Sequence, residues 1–378
     1  MESKVIVIGN HHHNTLGVLR SLGEKGLKSE LIVTNDSYKF ITYSKYINSV
    51  HVINGNEEIV DLLLSKFKNK ENSPIIICCN DNSIAELDKH YEVLSRYFVV
   101  PNAGHQGRIN CLMSKSEQQF LASKAGLRCP NTWRVRGSMS LPNEVVFPCI
   151  VKTDSSIDGG KTDIKVCQTF DELKRNTTRD VDYIIQEYVE KEYELNVVAC
   201  SLNHGENIII PGVIHKLREY PSKKGSSSFA VLKDCTDYPH LQIDAIRRMM
   251  ALTRYEGLFS IEFVCKNNQC YFLEVNFRND GNGYIPTSAG LNLPYLWCCH
   301  KLNYEIGENE INTPHYFMAD VRDIMHVIKE KDLTFTKWFR DLKRTNCFLL
   351  YNSKDRRPFW NYLRVMLIAM CHSLLRAK

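Results

Sequence analysis

The sequence predicts two architectures in one chain, α/β at the start and α+β after it. Three observations carry this. The first hundred residues alternate short apolar runs with amphipathic stretches, as buried parallel strands and their covering helices do. Beyond about residue 114, strand-like runs follow one another with few helices between them, which is antiparallel character. At 378 residues, the chain also suits two or three domains better than one.

The α/β part reads in order. Residues 4–8 are a buried strand. Residues 14–25 are helical, with Leu16, Leu19 and Leu22 on one face and Gly26 at the end. Residues 30–33 are the next strand. A helix at 57–67, a strand at 74–79, a helix from about Ser83 and a strand at 97–100 complete the series. Ligands bind such sheets at the carboxyl ends of the strands, which are here residues 10–14 and 80–82.

The α+β part opens with a helix at 116–125 that stops at Gly126. Strands are expected at 147–153, 164–166, 183–188, 194–201, 208–217, 259–265 and 271–277. Helices fall near 171–174, 240–253 and 293–302, and a last one runs from about Pro358 to Lys378. Residues 153–161 and 220–228 are rich in Gly, Ser and Lys and read as flexible loops.

Composition excludes several classes. A net charge of +5 is too mild for a nucleic-acid partner. The charge is uneven: residues 340–378 hold nine Lys/Arg and two Asp/Glu, a net of +7, so the rest sums to −2. The 14 cysteines contain no Cys-x2-Cys, which argues against a zinc ribbon. Many sit among Ile, Val and Phe as small hydrophobes, which points to a reducing, cytoplasmic compartment. Residues 5–8 read as a strand and not a signal peptide. The longest apolar run, 365–371, is too short to span a bilayer.

The richest stretch is 257–264 followed by 271–278. Alternate strand residues share a face, so Phe272, Glu274, Asn276 and Arg278 are expected on one side and Leu273, Val275 and Phe277 on the other. Two acids, an amide and an arginine on one face cost folding energy unless a ligand compensates them. Oxygen donors of this kind suit Mg²⁺; an edge strand with solvated charges is the plain alternative. Glu262 and Glu274 pair across strands if 267–269 form a three-residue loop. A two-residue turn at Asn267 and Asn268 puts them on opposite faces. Lys152 ends a strand before a small-residue loop, where a phosphate can be held; a plain hairpin fits as well. Residues 183–194 by themselves say strand, turn, strand. His11, His12 and His13, and also Asp81, stand at strand ends. Substrate contact competes there with exposed histidines and with helix capping by Asn82 or Ser83.

Together and in this order, these pieces resemble the ATP-grasp superfamily over about residues 1–320. They look closest to carboxylate–amine ligases related to D-aspartate ligase. Residues 14–26 are similar to the opening of those enzymes, and Ser288–Leu293 to their small-residue turn into a helix. The resemblance implies a pre-ATP-grasp domain at 1–112 and a two-lobed ATP-grasp module at 113–320, its small lobe at about 130–190. A basic helical segment, 321–378, follows. It further implies ATP with two Mg²⁺ ions, or Mn²⁺ in their place. Lys115 resembles the first phosphate lysine, with Ser114 where the family has Asp. Lys152 resembles the second, with Thr153 where the family has Pro. Ser155, Gly159 and Gly160 would belong to the loop that closes over the triphosphate. Gln186, Glu187, Tyr188 and Val189 resemble the adenine hinge, and Glu194 the ribose acid. Glu262, Glu274 and Asn276 match the metal ligands, and Arg278 the arginine beside the reacting acyl phosphate. Lys216 and Arg218 are candidates for a phosphate or substrate carboxylate.

The expected activity is ligation of a carboxylate to an amine through an acyl phosphate, with release of ADP and phosphate. An ATP-grasp enzyme with another acid, such as the bicarbonate of biotin carboxylase, is the first alternative. A nucleotide-binding protein without catalysis is the second. Small-molecule substrates and a homodimer are the partners considered. The last helix is expected to dock internally, with an anionic membrane surface as its alternative partner.

Overall fold

The computed structural model describes residues 4–34, 39–137, 141–155, 164–222, 225–305, 307, 310–330 and 332–376, with side chains up to residue 368. Val5–Gly9 (β1), Ser29–Thr34 (β2), Ile47–Ile53 (β3) and Ile75–Cys78 (β4) form a parallel sheet in the order β3-β2-β1-β4. β1, β2 and β4 are almost wholly buried, as strands covered on both faces must be. β3 lies at the edge, with Val50 and Val52 exposed. Its Ile-Asn-Ser-Val-His-Val-Ile has no continuous apolar run, so it has no counterpart in the sequence reading. Residues 97–100 give no full strand. Val99 makes a single parallel bridge to Ile75.

The turns after β1 and β4 lie side by side. His12 caps the helix His13–Gly23, its Nδ1 accepting from the Asn14 N–H at 3.2 Å. Asn80 caps Asp81–Lys89, its Oδ1 accepting from the Ser83 N–H at 2.8 Å. The capping role weighed for Asn82 or Ser83 thus falls to Asn80.

Thr132–Arg136 (β5), Cys149–Thr153 (β6), Lys165–Cys167 (β7) and Asp182–Glu187 (β8) form a small antiparallel sheet in the order β5-β8-β6-β7. Val135, Cys149, Val151, Tyr183 and Ile185 give it a core of its own. The third sheet contains Tyr193–Leu202 (β9), Asn207–Ile209 (β10), Val213–Tyr220 (β11), Ser226–Lys233 (β12), Gly257–Lys266 (β13), Gln269–Asn276 (β14), His315–Met318 (β15) and Cys347–Phe348 (β16). Its order is β14-β13-β9-β11-β12-β15-β16, with β10 on β9. The strand expected at 208–217 is therefore two strands, broken at Pro211 and Gly212. Part of the loop expected at 220–228 is strand: Ser226 to Ser228 open β12. One continuous core runs from Ile6, Ile8 and Ile76 to Phe259, Phe263 and Phe272. It fixes the β4 end of the first sheet against β13 and β14.

The C-terminal segment is built into this body, in keeping with internal docking. β16 extends the large sheet, pairing parallel with β15. Arg20, fully buried, donates to Asp355 Oδ2 at 3.2 Å and to the Leu349, Leu350 and Asp355 carbonyls at 3.1, 2.8 and 3.1 Å. Asp355 also accepts from Ser44 Oγ at 2.8 Å and Lys45 N at 3.1 Å. The last helix, Arg357–Arg376, sets Tyr362 edge-on against Phe40, with centroids 5.2 Å apart. Trp360 and Leu367 stay exposed. Among the described residues, no helix is long and apolar enough to cross a membrane.

Candidate active site

The floor of the cleft is the β13–β14 hairpin. Its turn has two residues, Asn267 and Asn268, both at positive φ (50° and 55°), as the favoured two-residue hairpin turns require. Such a turn alone would send Glu262 and Glu274 to opposite faces. The register shifts between Glu262 and Phe263: Phe263 pairs with Phe272, but Glu262 pairs with Glu274. Leu273 is thus a bulge, an extra residue that reverses the alternation. Two sequence expectations are corrected. The loop has two residues, not three. Phe272 turns into the core, edge-on to Phe263 at 6.2 Å, while Glu274 and Asn276 face the cleft with Glu262.

Like charges directly opposite on neighbouring strands repel. Glu274 makes no hydrogen bond or ion pair among the described residues. Asn276 Nδ2 donates to Ser260 Oγ at 3.3 Å and Glu262 Oε1 at 3.4 Å, and its Oδ1 accepts from Arg278 Nη2 at 3.1 Å. Among the described residues, no cluster of three or more His, Cys, Asp or Glu could hold a metal. A hard cation here would take two carboxylates, Asn276, and oxygens from ligand or water. The donor set and the repulsion between the two carboxylates fit such an ion.

The lysines come from the small sheet and from the helix that precedes it. Lys152 on β6 is buried, its Nζ 3.3 Å from Gln186 Oε1. Burial lowers its pKa and the nearby Lys115 adds to this, while Glu274 and Glu262 pull the other way. Lys152 therefore lies within electrostatic reach of both floor carboxylates. Lys115 opens the helix Lys115–Ala125, and its backbone N and Nζ lie 3.0 and 3.4 Å from the Asp154 carbonyl. The Asp154 carboxylate accepts from Ser116 N at 2.8 Å and from Ser114 Oγ at 3.1 Å. An acid thus sits at this helix start although position 114 is Ser. Ser155 bridges to Ser114. Gly159 and Gly160 lie outside the described residues.

Gln186 and Glu187 end β8, and Tyr188 and Val189 lead on to β9. The Glu187 and Tyr188 N–H groups already donate, to the Asn131 carbonyl at 2.9 Å and the Pro148 carbonyl at 3.3 Å. Glu194 accepts from Lys191 Nζ at 2.5 Å and from Lys216 Nζ. Burial would raise its pKa, but Lys216 and Lys191 outweigh burial and hold it low. Lys216 lines the cleft. Arg218 does not. The β11–β12 register shifts around Leu217 and turns Arg218 onto Phe229, 4.3 Å from the ring centroid. There it donates to Asp323 at 3.1 and 2.8 Å and to Asp341. The sequence expectation for Arg218 is corrected: both its carboxylate partners come from the C-terminal segment.

At the other end of the cleft, Arg278 Nε and Nη2 meet Asp81 Oδ1 and Oδ2 at 2.9 and 3.3 Å. Burial would lower the Arg278 pKa, but Asp81 and Asp280 outweigh it and keep the charge. Asn14 Nδ2 donates to the Cys79 and Asn279 carbonyls at 2.8 and 2.9 Å. The first domain is thus tied to the strand that carries the acids. Asn10, at a strand end where ligands are expected, also lines this end, as do Asp280 and Asn282, which were missed as site residues. The run Asn279-Asp-Gly-Asn-Gly283 straight after Arg278 is the signal that could have found both. The cavity between Glu194, Lys216, the floor acids and this end is about 350 Å³.

No family model matches the sequence. Two curated relatives are carbamoyl phosphate synthase large chains. That of Lachnoclostridium phytofermentans is 24% identical over 144 residues, 36% of this chain and 13% of that protein. The C-terminal section from Aquifex aeolicus is 23% identical over 172 residues, 42% of this chain and 31% of that protein. The chain thus spans less than a third of either relative. Solved structures match far more of it. N5-carboxyaminoimidazole synthetase from Staphylococcus aureus superposes with a TM-score of 0.66 at 14% identity, over 87% of this chain and 86% of that one. Biotin carboxylase from Campylobacter jejuni gives 0.65 at 18%, over 83% and 74%. The L-amino acid ligase from Bacillus licheniformis gives 0.60 at 13%, over 79% and 74%. The chain has the ATP-grasp fold. Within this fold, β1–β4 form the first sheet, β5–β8 the small sheet, and the large sheet carries Glu262 and Glu274. The superposition with the Staphylococcus aureus enzyme is long enough to reach beyond residue 320.

Proposed function

We propose that this chain is an ATP-dependent ligase that joins a carboxylate to an amine. The observation that carries the reading is the Glu262–Glu274 pair, facing one cleft with Asn276 and within electrostatic reach of Lys152. ATP would lie between the small lobe and the large sheet, with its adenine at residues 186–189 and its ribose near Glu194. Lys115 and Lys152 hold the phosphates. Mg²⁺, two ions as the resemblance implies, would be held by Glu262, Glu274 and Asn276 and would supply positive charge beside the transferred phosphoryl group. A substrate carboxylate oxygen bonds to the γ-phosphorus and ADP leaves. The amine nitrogen then bonds to the acyl carbon, phosphate leaves, and the amine gives up a proton. Arg278 and Lys216 line the cleft where these anions would lie. No protein nucleophile is needed, and the cleft has to exclude water, which would hydrolyse the acyl phosphate.

The relatives support a ligase, and the carboxylases among them favour a second reading in which bicarbonate is the acid. One screen tests both. ADP release is measured with Mg²⁺ across amino acids and other carboxylates paired with candidate amines, with and without bicarbonate. Turnover that needs one acid and one amine supports the ligase. Turnover that needs bicarbonate supports the second reading. Tight ATP binding with no turnover for any pair overturns both.

A further inference from the structure

Arg322 lies in the first turn of the helix Asp320–Lys329, just after β15. The start of this helix is fixed beside the cleft, because Ala319 N donates to the Ser228 carbonyl at 2.7 Å and Ser226 and Ser227 line the cleft wall. Nη1 of Arg322 is buried without a hydrogen-bond partner. Among the described residues, its guanidinium meets no carboxylate. Other arginines in or near the interior differ: buried Arg20 holds Asp355, and the half-buried Arg218 and Arg278 hold Asp323 with Asp341 and Asp81 respectively.

The titratable neighbours of Arg322 are the Tyr362 phenol and His13. His13 lines the cleft, and its pKa is depressed by burial first, then by His12 and Arg322. Arg322 is therefore close enough to be felt at His13. The His12 and His13 rings lie 3.8 Å apart. A Cβ at residue 281 would sit 3.1 Å from His13 Nε2 and 3.8 Å from His12 Cε1, so Gly281 leaves the imidazoles room at the cleft wall. Because His12 Nδ1 accepts the capping hydrogen bond, its Nε2 carries the proton. A buried guanidinium with no anion costs folding energy that a bound anion would recover. Its planar fork matches a carboxylate or a phosphate.

We propose that Arg322, with His12 and His13, forms an anion subsite beside the cleft that holds a carboxylate or phosphate on one of the substrates, remote from the group that reacts. The subsite deepens the ligase reading: that substrate carries a second anionic group. Anion binding itself does not depend on turnover.

The test uses the full chain with Mg²⁺ and ADP present, so that the nucleotide end is filled. Binding of succinate, inorganic phosphate and acetate is measured by calorimetry for the wild type, Arg322→Met, Arg322→Lys and Lys152→Ala. Succinate or phosphate is expected to bind the wild type at least tenfold more tightly than acetate. Arg322→Met should lose that preference, and Arg322→Lys should keep part of it. The succinate and phosphate arms distinguish the two anions. Equal binding by wild type and Arg322→Met, or no preference over acetate, overturns the subsite. So does binding lost in Lys152→Ala but kept in Arg322→Met, which assigns the anion to the nucleotide end. If Arg322→Met does not fold, Arg322→Lys against wild type decides. A failed ADP screen with Arg322-dependent anion binding refutes the ligase and leaves the subsite standing.

Discussion

Glu262 and Glu274 face each other as direct partners across β13 and β14, although only two residues turn between their strands. The Leu273 bulge makes this so. A regular ladder from the same turn would point one of the two acids into the core beside Phe272.

Glu274→Gln should abolish ADP release and leave the fold intact. The change removes one of two opposed charges, so the melting temperature should hold or rise. Loss of one charged contact in a water-poor site typically costs ~3 kcal/mol, on the order of a hundredfold in rate. ADP release at the wild-type rate would refute the metal assignment.

Lys152→Ala should weaken ATP binding at least tenfold while shifting the melting temperature by no more than about 3 °C. Burial already disfavours the lysine's charge, so the protein without nucleotide gains little from it. Calorimetry with Mg²⁺ decides, and an unchanged nucleotide affinity would make Lys152 a plain strand residue.

Arg218→Ala should act on stability. It leaves Asp323 without a cation and Asp341 with Arg344 alone, and breaking a buried pair costs about 3–5 kcal/mol. Urea unfolding should show this, with kcat of the folded fraction within about threefold of wild type. Normal stability with a hundredfold loss of kcat would return Arg218 to the substrate.

His13 should make the protein acid-sensitive. Its folded pKa lies well below 6.5, chiefly through burial, so below pH 6.5 the unfolded chain binds a proton that the native state refuses. Stability is therefore full above pH 6.5 and falls as the pH drops from there towards the folded pKa. The slope is at most about 1.4 kcal/mol per pH unit for one histidine. Urea unfolding from pH 5 to 7 should give a shallower slope for His13→Gln. An identical slope would remove His13 as a source of acid sensitivity.

Truncation before Asp355 should leave a protein that aggregates or melts well below wild type, because Arg20 would stay buried without its carboxylate. A truncated chain that keeps its melting temperature but no longer sediments with anionic vesicles would mark the tail as a membrane contact instead.

The alternating strands and helices of the first hundred residues were legible because buried parallel strands are continuous apolar runs. β3 was not, because one of its faces meets solvent and its polar residues break the run. The site residues were legible as residue types in order, but their directions were not. Bulges at Leu273 and around Leu217 each reverse a face, and no composition marks them. Leu273 brings Glu274 to the cleft, while the shift near Leu217 takes Arg218 away from it. The partners of Arg278 and Arg218 come from distant segments, Asp81 in one case and Asp323 with Asp341 in the other. Spacing along the chain says nothing of such pairings.

The Arg20–Asp355 contact joins residues 335 positions apart, and this gives the protein an order of assembly. A ribosome adding roughly 5–20 residues per second needs on the order of 20–70 s to make the intervening chain. For that time the first helix has emerged while the carboxylate that neutralises its arginine does not yet exist. Arg20 has to remain hydrated until then, so the pocket around it closes late. Completion of the sheet that holds Arg20's helix therefore waits for a segment made 335 residues later.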